Sequence, residues 1–206
     1  LKIHYLAVNL YQQNQLTMKF IVTILLALAF CNPSYSQAFQ WAKSMGSASS
    51  DNGLAIAVDA AGNVYSTGTF DGTVDFDPGP GIFNLTAQGG FDVYVQKLDN
   101  AGNFIWAVAF GNNGTDRPIN IKLDDSGNVY IWGVFEYTVD FDPGIGIANK
   151  TSAGLTDAFV EKLDNSGNFI WVKTFGGVDS EYAESCTIDS NNNVYVAGTF
   201  RGTCDF

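Results

Sequence analysis

A long internal repeat constrains the fold of this chain more than any other feature of its sequence. The segment LDNAGNFIW at residues 98–106 returns almost unchanged as LDNSGNFIW at residues 163–171, and Trp41, Trp106 and Trp171 are each 65 residues apart. No gap is needed to keep the intervening residues in step. A fixed long period indicates supersecondary units that stack on one another. The repeat therefore constrains architecture more than activity, because one scaffold can carry unrelated functions.

Each period begins with a predicted strand and a turn. The strand alternates apolar residues with small or polar ones, a period of two that indicates one buried face. We expect this strand to be the innermost one of its sheet, with the following core residues: Ile56, Val58, Ile121, Leu123 and Ile188. A turn of the type Asp-x-x-Gly-Asn follows, in which the Asp accepts backbone N–H groups and the Gly adopts the left-handed conformation. In the last copy Asn192 replaces the Gly.

Three more strands are predicted in each period. The second is rich in Val, Tyr, Thr and Phe, and the glycine that it carries in every copy indicates a close backbone approach or a bend. The third reads DVYVQKLD or DAFVEKLD, and the fourth follows the LDN turn. Four strands per period is the count of a β-propeller blade. We therefore predict an all-β fold of four-stranded antiparallel blades with negligible helix over residues 37–206.

The predicted ring of blades is incomplete. Two full periods and a partial third are too few for a ring of about four to eight blades. The motif VDFDPG, present at residues 74–79 and 139–144, begins again as CDF at Cys204, where the chain ends. The sequence is therefore expected to be the N-terminal part of a longer protein.

This pattern resembles the bacterial β-propeller repeats known as SBBP repeats. The matching landmarks are the Asp-x-x-Gly-Asn turn before Val-Tyr, the glycine at Gly68, the Asp-x-Phe/Tyr-Val-x-Lys-Leu-Asp strand, and the Trp whose strand ends in Gly111 or Gly176. They recur in register from residue 40 onward. The resemblance implies a propeller in an exported or cell-surface protein and no general activity. The chain departs from the pattern by an additional segment at residues 74–89.

The first residues predict export. An apolar run at residues 20–30 follows Lys19 and precedes small residues, so residues 18–36 read as a secretory signal peptide, with residues 1–17 as upstream sequence translated by mistake. The run is shorter than the roughly 20 residues that span a bilayer. A membrane anchor and a lipoprotein at Cys31 are the less favoured alternatives. The mature chain is therefore predicted to be secreted or at the cell surface, without a membrane span.

Charge and composition exclude several functions. The net charge is −11 and the basic residues form no cluster, so nucleic acid is a poor partner. The single histidine, His4, lies in the discarded segment, which leaves no His for a catalytic triad or a zinc site. We predict no catalytic, cofactor-binding or metal-binding residue, no cofactor and no enzymatic activity in this chain.

The recurring carboxylates and the cysteines have structural and functional interpretations. Asp75/Asp77 and Asp140/Asp142 offer a start for a calcium site, but calcium takes about six to eight oxygens. A type II turn, with Pro78 then Gly79 and with Pro143 then Gly144, is favoured. A catalytic pair for glycoside cleavage is disfavoured because it would not recur in every period. Cys186 and Cys204 replace aliphatic residues of earlier copies, which indicates core residues, with a disulfide as the alternative.

Residues that break the repeat are the candidates for individual function. They are Arg117, Trp132, Glu136, Tyr137, Lys150 and Arg201. The sequence predicts a non-catalytic exported module that is a structural part of a larger protein or binds a protein or glycan through loops around Arg117, Glu136, Tyr137 and Lys150. The alternative is the propeller portion of an extracellular, carbohydrate-active enzyme whose catalytic residues lie beyond residue 206.

Overall fold

All regular secondary structure in the described part of the chain is β-strand. The computed structural model describes residues 39–205. The predicted upstream segment (residues 1–17) and signal peptide (residues 18–36) lie outside the described residues. Residues 39–205 form fifteen strands and no helix, so this part of the chain contains no helix that would cross a bilayer. The prediction of an all-β fold is confirmed.

The first blade contains one four-stranded sheet and one small hairpin. Its strands are β1 (Asn52–Val58), β2 (Val64–Phe70), β3 (Thr73–Asp75), β4 (Asn84–Thr86), β5 (Asp92–Leu98) and β6 (Phe104–Phe110). The sheet has the order β1-β2-β5-β6 with every neighbour antiparallel, and β3 pairs with β4 in a separate hairpin. The additional segment between the second and third strands is therefore a hairpin outside the blade sheet.

The second blade repeats the first, and part of a third blade follows. The second has β7 (Arg117–Leu123), β8 (Val129–Phe135), β9 (Thr138–Asp140), β10 (Asn149–Thr151), β11 (Asp157–Leu163) and β12 (Phe169–Gly177). The third has β13 (Tyr182–Ile188), β14 (Val194–Thr199) and β15 (Cys204–Asp205), and β15 pairs with the end of β12. The first strands are neighbours, since β7 packs against both β1 and β13. The described residues do not close a ring.

The Asp-x-x-Gly-Asn turn closes five hairpins with the same hydrogen bonds. Asp59 Oδ1 accepts the N–H groups of Ala61 and Asn63, each at 2.9 Å, and Asn63 Nδ2 donates to Asp59 Oδ2 at 2.8 Å. The same bonds recur at the following residues: Asp99, Asp124, Asp164 and Asp189. Gly62 has φ 84° and Asn192 φ 63°. The predicted turn chemistry, including Asn in place of Gly, is confirmed.

The glycine of each second strand allows a close backbone approach. A Cβ at Gly133 would lie 2.1 Å from the carbonyl oxygen of Arg117. The facing strand β7 changes register between Pro118 and Asn120, and β1 and β13 change register at the same repeat position. The glycine therefore accommodates a bulge of the first strand, as its recurrence predicts.

The largest apolar core lies between the first two blades. The first sheet contributes Tyr65, Val93, Val95 and Phe110. The second contributes Ile121, Val129, Ile131, Phe135, Phe159, Leu163 and Val172. Side chains alternate between the two faces of a strand, so the opposite face of the second sheet packs against the third blade through Trp132, Val160, Ala183 and Cys186. The second sheet is therefore buried on both faces.

The β9–β10 hairpin, which is the second copy of the additional segment, contributes a phenylalanine to this core. Phe141, immediately after β9, is fully buried. Its ring centroid lies 5.2 Å from that of Phe110 in the preceding blade, and 5.3 and 5.2 Å from those of Phe135 and Phe159 in its own blade. Phe76 takes the same position in the first blade, 5.4 Å from Phe70. The segment that departs from the SBBP pattern thus joins neighbouring blades.

Trp41 and Trp106 each donate a hydrogen bond to the blade that follows them. Trp106 Nε1 donates to the carbonyl of Asn165 at 3.1 Å, and Trp41 Nε1 donates to that of Asn100 at 3.0 Å. The indole of Trp106 lies over Gly167, where a Cβ would come within 3.1 Å of the ring. The 65-residue spacing of the tryptophans therefore reflects one contact repeated between blades.

Two of the predicted core residues are exposed. Ile56 is 66% and Val58 59% exposed, whereas Ile121, the counterpart of Ile56, is 2% exposed. Ile121 is covered by the first blade, while in the described residues no blade covers the same face of β1. The prediction that Ile56 and Val58 are buried is therefore wrong for these residues, although their strand is assigned correctly.

We expect Phe141→Ala to lower the free energy of unfolding by about 3–5 kcal/mol, because truncating a buried Phe removes apolar burial and leaves a cavity. Ile145→Ala in the same hairpin is the control, since Ile145 is fully exposed and its loss should change stability by less than about 0.5 kcal/mol. Urea denaturation followed by tryptophan fluorescence measures both. Equal costs for the two variants would contradict the role of the hairpin.

Candidate binding surface

The second blade carries an exposed loop cluster at the end opposite its Asp-x-x-Gly-Asn turns. It consists of residues 112–115 before β7, Arg117 at the start of β7, and Glu136 with Tyr137 between β8 and β9. We call this set the Tyr137 surface. Asn113, Thr115, Arg117 and Tyr137 are exposed, and Glu136 is half-buried. Three of the residues that break the repeat therefore meet in one place.

Asp116 holds the loops of this surface together. It is fully buried, and its carboxylate accepts the N–H of Asn112 at 2.9 Å and that of Glu136 at 3.1 Å. Its own N–H donates to the carbonyl of Phe91 at 2.8 Å in the preceding blade. Asp51 and Glu181 make the two carboxylate contacts in the other repeats. The carboxylate hydrogen bonds that hold the Tyr137 surface together therefore recur in all three repeats.

The side chain of Glu136 adds a contact to a framework that the first repeat shares, where Ser47 Oγ donates to the carbonyl of Asp71 at 3.3 Å. Glu136 Oε2 accepts the N–H of Thr115 at 3.2 Å, and its carbonyl accepts a hydrogen bond from Asn112 Nδ2. Asp71 and Arg201 stand at this position in the other copies. The side chain of Glu136 therefore fixes the loop at residues 112–115. Arg117 and Tyr137 are the exposed residues of this surface that break the repeat.

Tyr137 is held in an unusual backbone conformation. Its φ is 55°, and the residues at this position in the other repeats are Gly72 (φ 71°) and Gly202 (φ 63°). A bulky residue with positive φ is an outlier that costs of order 1–3 kcal/mol. The side chain is 65% exposed, and its ring edge lies against Gly114, where a Cβ would come within 2.9 Å. The structure thus maintains an exposed aromatic ring in a strained position.

The other residues that break the repeat lie elsewhere. Trp132 is 1% exposed and packs in the core facing the third blade, so its place among the candidates for individual function is wrong: the indole fills space. Lys150 is half-buried on β10 opposite Val139, and Ser152 at the end of this hairpin donates to the carbonyl of Tyr137 at 2.8 Å. Arg201 belongs to the third blade, where its N–H lies 3.5 Å from Glu181.

Sequence reasoning missed Asn112 and Gly114. Asn112 joins the loop to Glu136, and Gly114 leaves space for the Tyr137 ring. The available signal was the composition of this loop, because Ser47 and Ser49 occupy these positions in the first copy and Gly177 and Asp179 in the third. Such differences in a short loop resemble surface drift until the contacts are known.

Buried carboxylates beneath the surface have raised pKa values. Burial raises the pKa of Asp116 to about 7. The hydrogen bonds from the N–H groups of Glu136 and Asn112 lower this pKa, and the negative charge of nearby Asp92 raises it. Burial likewise raises the pKa of Asp92 to about 6, although the hydrogen bond from the N–H of Gln88 lowers it. Both groups are at most 1% exposed, and Asp92 packs against Gly111. Their burial away from the surface favours a structural role for both carboxylates.

The carboxylates of the VDFDPG motif shape the hairpin that contains them. Asp75 Oδ1 accepts the N–H groups of Asp77 at 3.0 Å and of Phe83 at 2.8 Å, and Asp77 Oδ1 accepts that of Gly79 at 2.7 Å. Asp140 and Asp142 repeat these contacts. These contacts give the carboxylates a structural role in the hairpin.

The turn type proposed for this motif is wrong. A type II turn needs positive φ at its third position, whereas Gly79 and Gly144 are not among the residues with positive φ. The Asp77 and Asp142 side chains instead accept the glycine N–H groups and shape the turn. Among residues 39–205 no group of three or more Cys, His, Asp or Glu side chains is placed to hold a metal ion. Weak or absent calcium binding stays a prediction.

Cys186 and Cys204, the cysteines of residues 39–205, are free thiols. Cys186 is 2% exposed in the core with Trp132, Val160 and Ala183, and burial raises the pKa of its thiol. Cys204 lies on β15 opposite Gly177 and is half-buried. The structure therefore contains no bond between them, and Cys186 is the core residue that its aliphatic counterparts predict.

Comparison with known proteins gives distant relatives. No family model matches the chain. An uncharacterised WD repeat-containing protein of Acanthamoeba polyphaga mimivirus is 25% identical over an alignment of 197 positions that covers 82% of this chain. The regulatory protein FlaEY of Caulobacter vibrioides is 27% identical over 143 residues, or 68% of this chain. The chain spans 14% of the length of each relative. The sequence likeness and the blades agree on a propeller-like repeat protein.

We expect Tyr137→Gly to raise the free energy of unfolding by about 0.5–1 kcal/mol. Relief of the left-handed conformation gains about 1–2 kcal/mol, and the greater freedom of Gly in the unfolded chain offsets part of it. Gly72→Ala is the matched control, because the site has space for a Cβ but keeps φ at 71°. It should lose about 1 kcal/mol in urea denaturation. A loss of stability in Tyr137→Gly would show that the ring contributes more by packing than the backbone strain removes.

Proposed function

We propose that this chain is a non-catalytic β-propeller module that binds a protein partner through the Tyr137 surface. The observation that carries the proposal is an exposed tyrosine at φ 55° where the other repeats have glycine. Strained backbone that the surrounding structure maintains is characteristic of functional sites. Tyrosine and arginine are also enriched among the residues that contribute most to protein interfaces, and Arg117 lies in the same surface.

The relatives and the recurring carboxylates support binding over catalysis. WD repeats form propellers, and the mimivirus relative is named for such repeats. The carboxylates that recur in each period accept backbone N–H groups in the turns and hairpins. A carboxylate that serves the fold in every copy is a poor candidate for a single catalytic acid or base. A protein is the favoured partner, and a glycan is tested as the other ligand class.

The module is proposed to belong to a longer exported or cell-surface protein with SBBP-type repeats. The apolar run at residues 20–30, with its preceding Lys19, supports export. The greater length of both relatives and the exposed apolar face at Ile56 and Val58 support additional blades. Ile121, the counterpart of Ile56, is covered where a neighbouring blade is present.

The test compares the natural chain with Tyr137→Gly and Arg117→Ala. Proteins of the exported fraction that the immobilised natural chain retains are identified, purified and titrated individually. We expect each single substitution to weaken binding of the partner by roughly tenfold or more, because central Tyr and Arg contacts contribute about 2 kcal/mol or more. Ile145→Ala, exposed in the hairpin loop but outside the surface, is the control and should bind like the natural chain.

Three results would count against this function. Unchanged affinity in both surface variants would place the binding site elsewhere. Binding of an isolated glycan, lost in Tyr137→Gly, would replace the protein partner with a carbohydrate. Hydrolysis of a peptide or glycan by the purified chain, abolished by one Asp substitution, would favour the enzyme alternative.

A further inference from the structure

Glu161 is a fully buried carboxyl group without a hydrogen-bond partner. It lies in the middle of β11 with 0% exposure, and neither Oε1 nor Oε2 has a partner within the described residues. Its cross-strand neighbours are Ile131 on β8 and Val172 on β12, both buried. The group therefore lies in the apolar interface between the first and second blades.

The first blade shows what this position does. Gln96 on β5 is the counterpart of Glu161 and is 1% exposed. Its Nε2 donates to the carbonyl of Phe76 at 2.6 Å, and its Oε1 accepts from Ser66 Oγ at 3.3 Å. The amide thereby ties the hairpin of the additional segment to the third strand. In the second blade Phe141 replaces Phe76, and Ile131 replaces Ser66.

We propose that Glu161 is a neutral carboxylic acid whose hydroxyl donates to the carbonyl of Phe141, and that loss of its proton releases the β9–β10 hairpin from the interface. A protonated carboxyl has one O–H donor, so it can take the place of the amide N–H of Gln96. An ionised carboxylate has only acceptors and would face a carbonyl oxygen. The second blade thus contains a pH-sensitive latch at a position where the first blade has a pH-independent amide.

The charges around Glu161 favour the neutral form. The first blade faces the interface with the cation of Lys97, whose Nζ donates to the carbonyl of Asn165 at 3.3 Å and lies 4.8 Å from the centroid of the Tyr65 ring. Burial, and then the negative charge of Asp142 in the adjoining hairpin, raise the pKa of Glu161 well above the usual range. The residues opposite it on β8 and β12 are apolar. Lys162, the next residue of β11, points to the other face of the sheet and pairs with Asp124 at 3.2 Å. The nearest cation along the strand is therefore committed elsewhere.

The sign of the pH effect follows from the raised pKa. The folded chain keeps the Glu161 proton at pH values where the unfolded chain has lost it. Stability from this group is fully present below about pH 4, the range of an unperturbed Glu, and falls as pH rises toward the folded pKa. Over this window the unfolding equilibrium constant increases by up to tenfold per pH unit for one proton.

The test is a reciprocal exchange in the full chain, Glu161→Gln and Gln96→Glu. Urea denaturation from pH 5 to pH 9 should show that Glu161→Gln reduces the pH dependence of the unfolding equilibrium constant by up to tenfold per pH unit. Gln96→Glu should add a dependence of the same sign in the first blade. Asp92 and Asp116 titrate in all three chains, so the differences isolate the exchanged residue. Hydrogen exchange at Asn149–Thr151 should be faster at alkaline pH in the natural chain than in Glu161→Gln.

Infrared spectroscopy distinguishes a neutral Glu161 acid from an ionised Glu161 carboxylate. At pH 7 the natural chain should show more protonated carboxyl absorption than Glu161→Gln, because Asp116, whose pKa is about 7, contributes equally in both chains. Equal pH dependence in the natural chain and Glu161→Gln would overturn the proposal. So would an increase of melting temperature with calcium that is lost in Glu161→Gln, because the group would then be an ionised ligand.

Discussion

The rest of the structure depends on the burial of both faces of the second four-stranded sheet. The second sheet places Ile121, Ile131 and Phe159 toward the first blade and Trp132 and Val160 toward the third. Burial of such side chains stabilises by about 1.5–3 kcal/mol each, so a blade requires neighbours. The Trp106 hydrogen bond and the Phe141 contacts then set how one blade meets the next. The side chains of the second sheet pack against its neighbours, so the residues available to bind a partner lie in the loops.

The comparison of equivalent positions separates structural from individual residues. The turn carboxylates make the same hydrogen bonds in every described copy. The hairpin phenylalanines of the first two blades and the tryptophans Trp41 and Trp106 also repeat their contacts, so these residues belong to the scaffold. Tyr137 and Glu161 differ from their counterparts in a physically consequential way. One has a strained exposed ring where glycine is unstrained, and the other has an ionisable group where an amide satisfies the same carbonyl. Both changes lie in the second blade, beside its contact with the first.

The sequence was sufficient to predict the strands and turns of each blade, but not which faces a neighbouring blade covers. Period, strand alternation and the Asp-x-x-Gly-Asn turn are local signals, so the strands and turns were predicted correctly. Burial of Ile56 depends on whether another sheet covers it, which alternation along one strand does not encode. The hydrogen bonds of Asp77 and the packing of Trp132 likewise depend on groups distant in sequence or on a particular turn geometry. In the Tyr137 surface, the sequence predicted Arg117, Glu136 and Tyr137 as departures from the repeat. The roles of Asn112 and Gly114 were recognised only from their contacts in the structure.

The requirement for neighbouring blades is tested most directly by the association of the purified chain. Exposed apolar sheet faces favour self-association, so sedimentation velocity should show concentration-dependent oligomers. Ile56→Arg should reduce them while the fold is kept, because Ile56 is 66% exposed, whereas Ile121→Arg should unfold the chain, because Ile121 is 2% exposed. A natural chain that remains a stable monomer at all concentrations, with equal tolerance of arginine at both positions, would contradict the account.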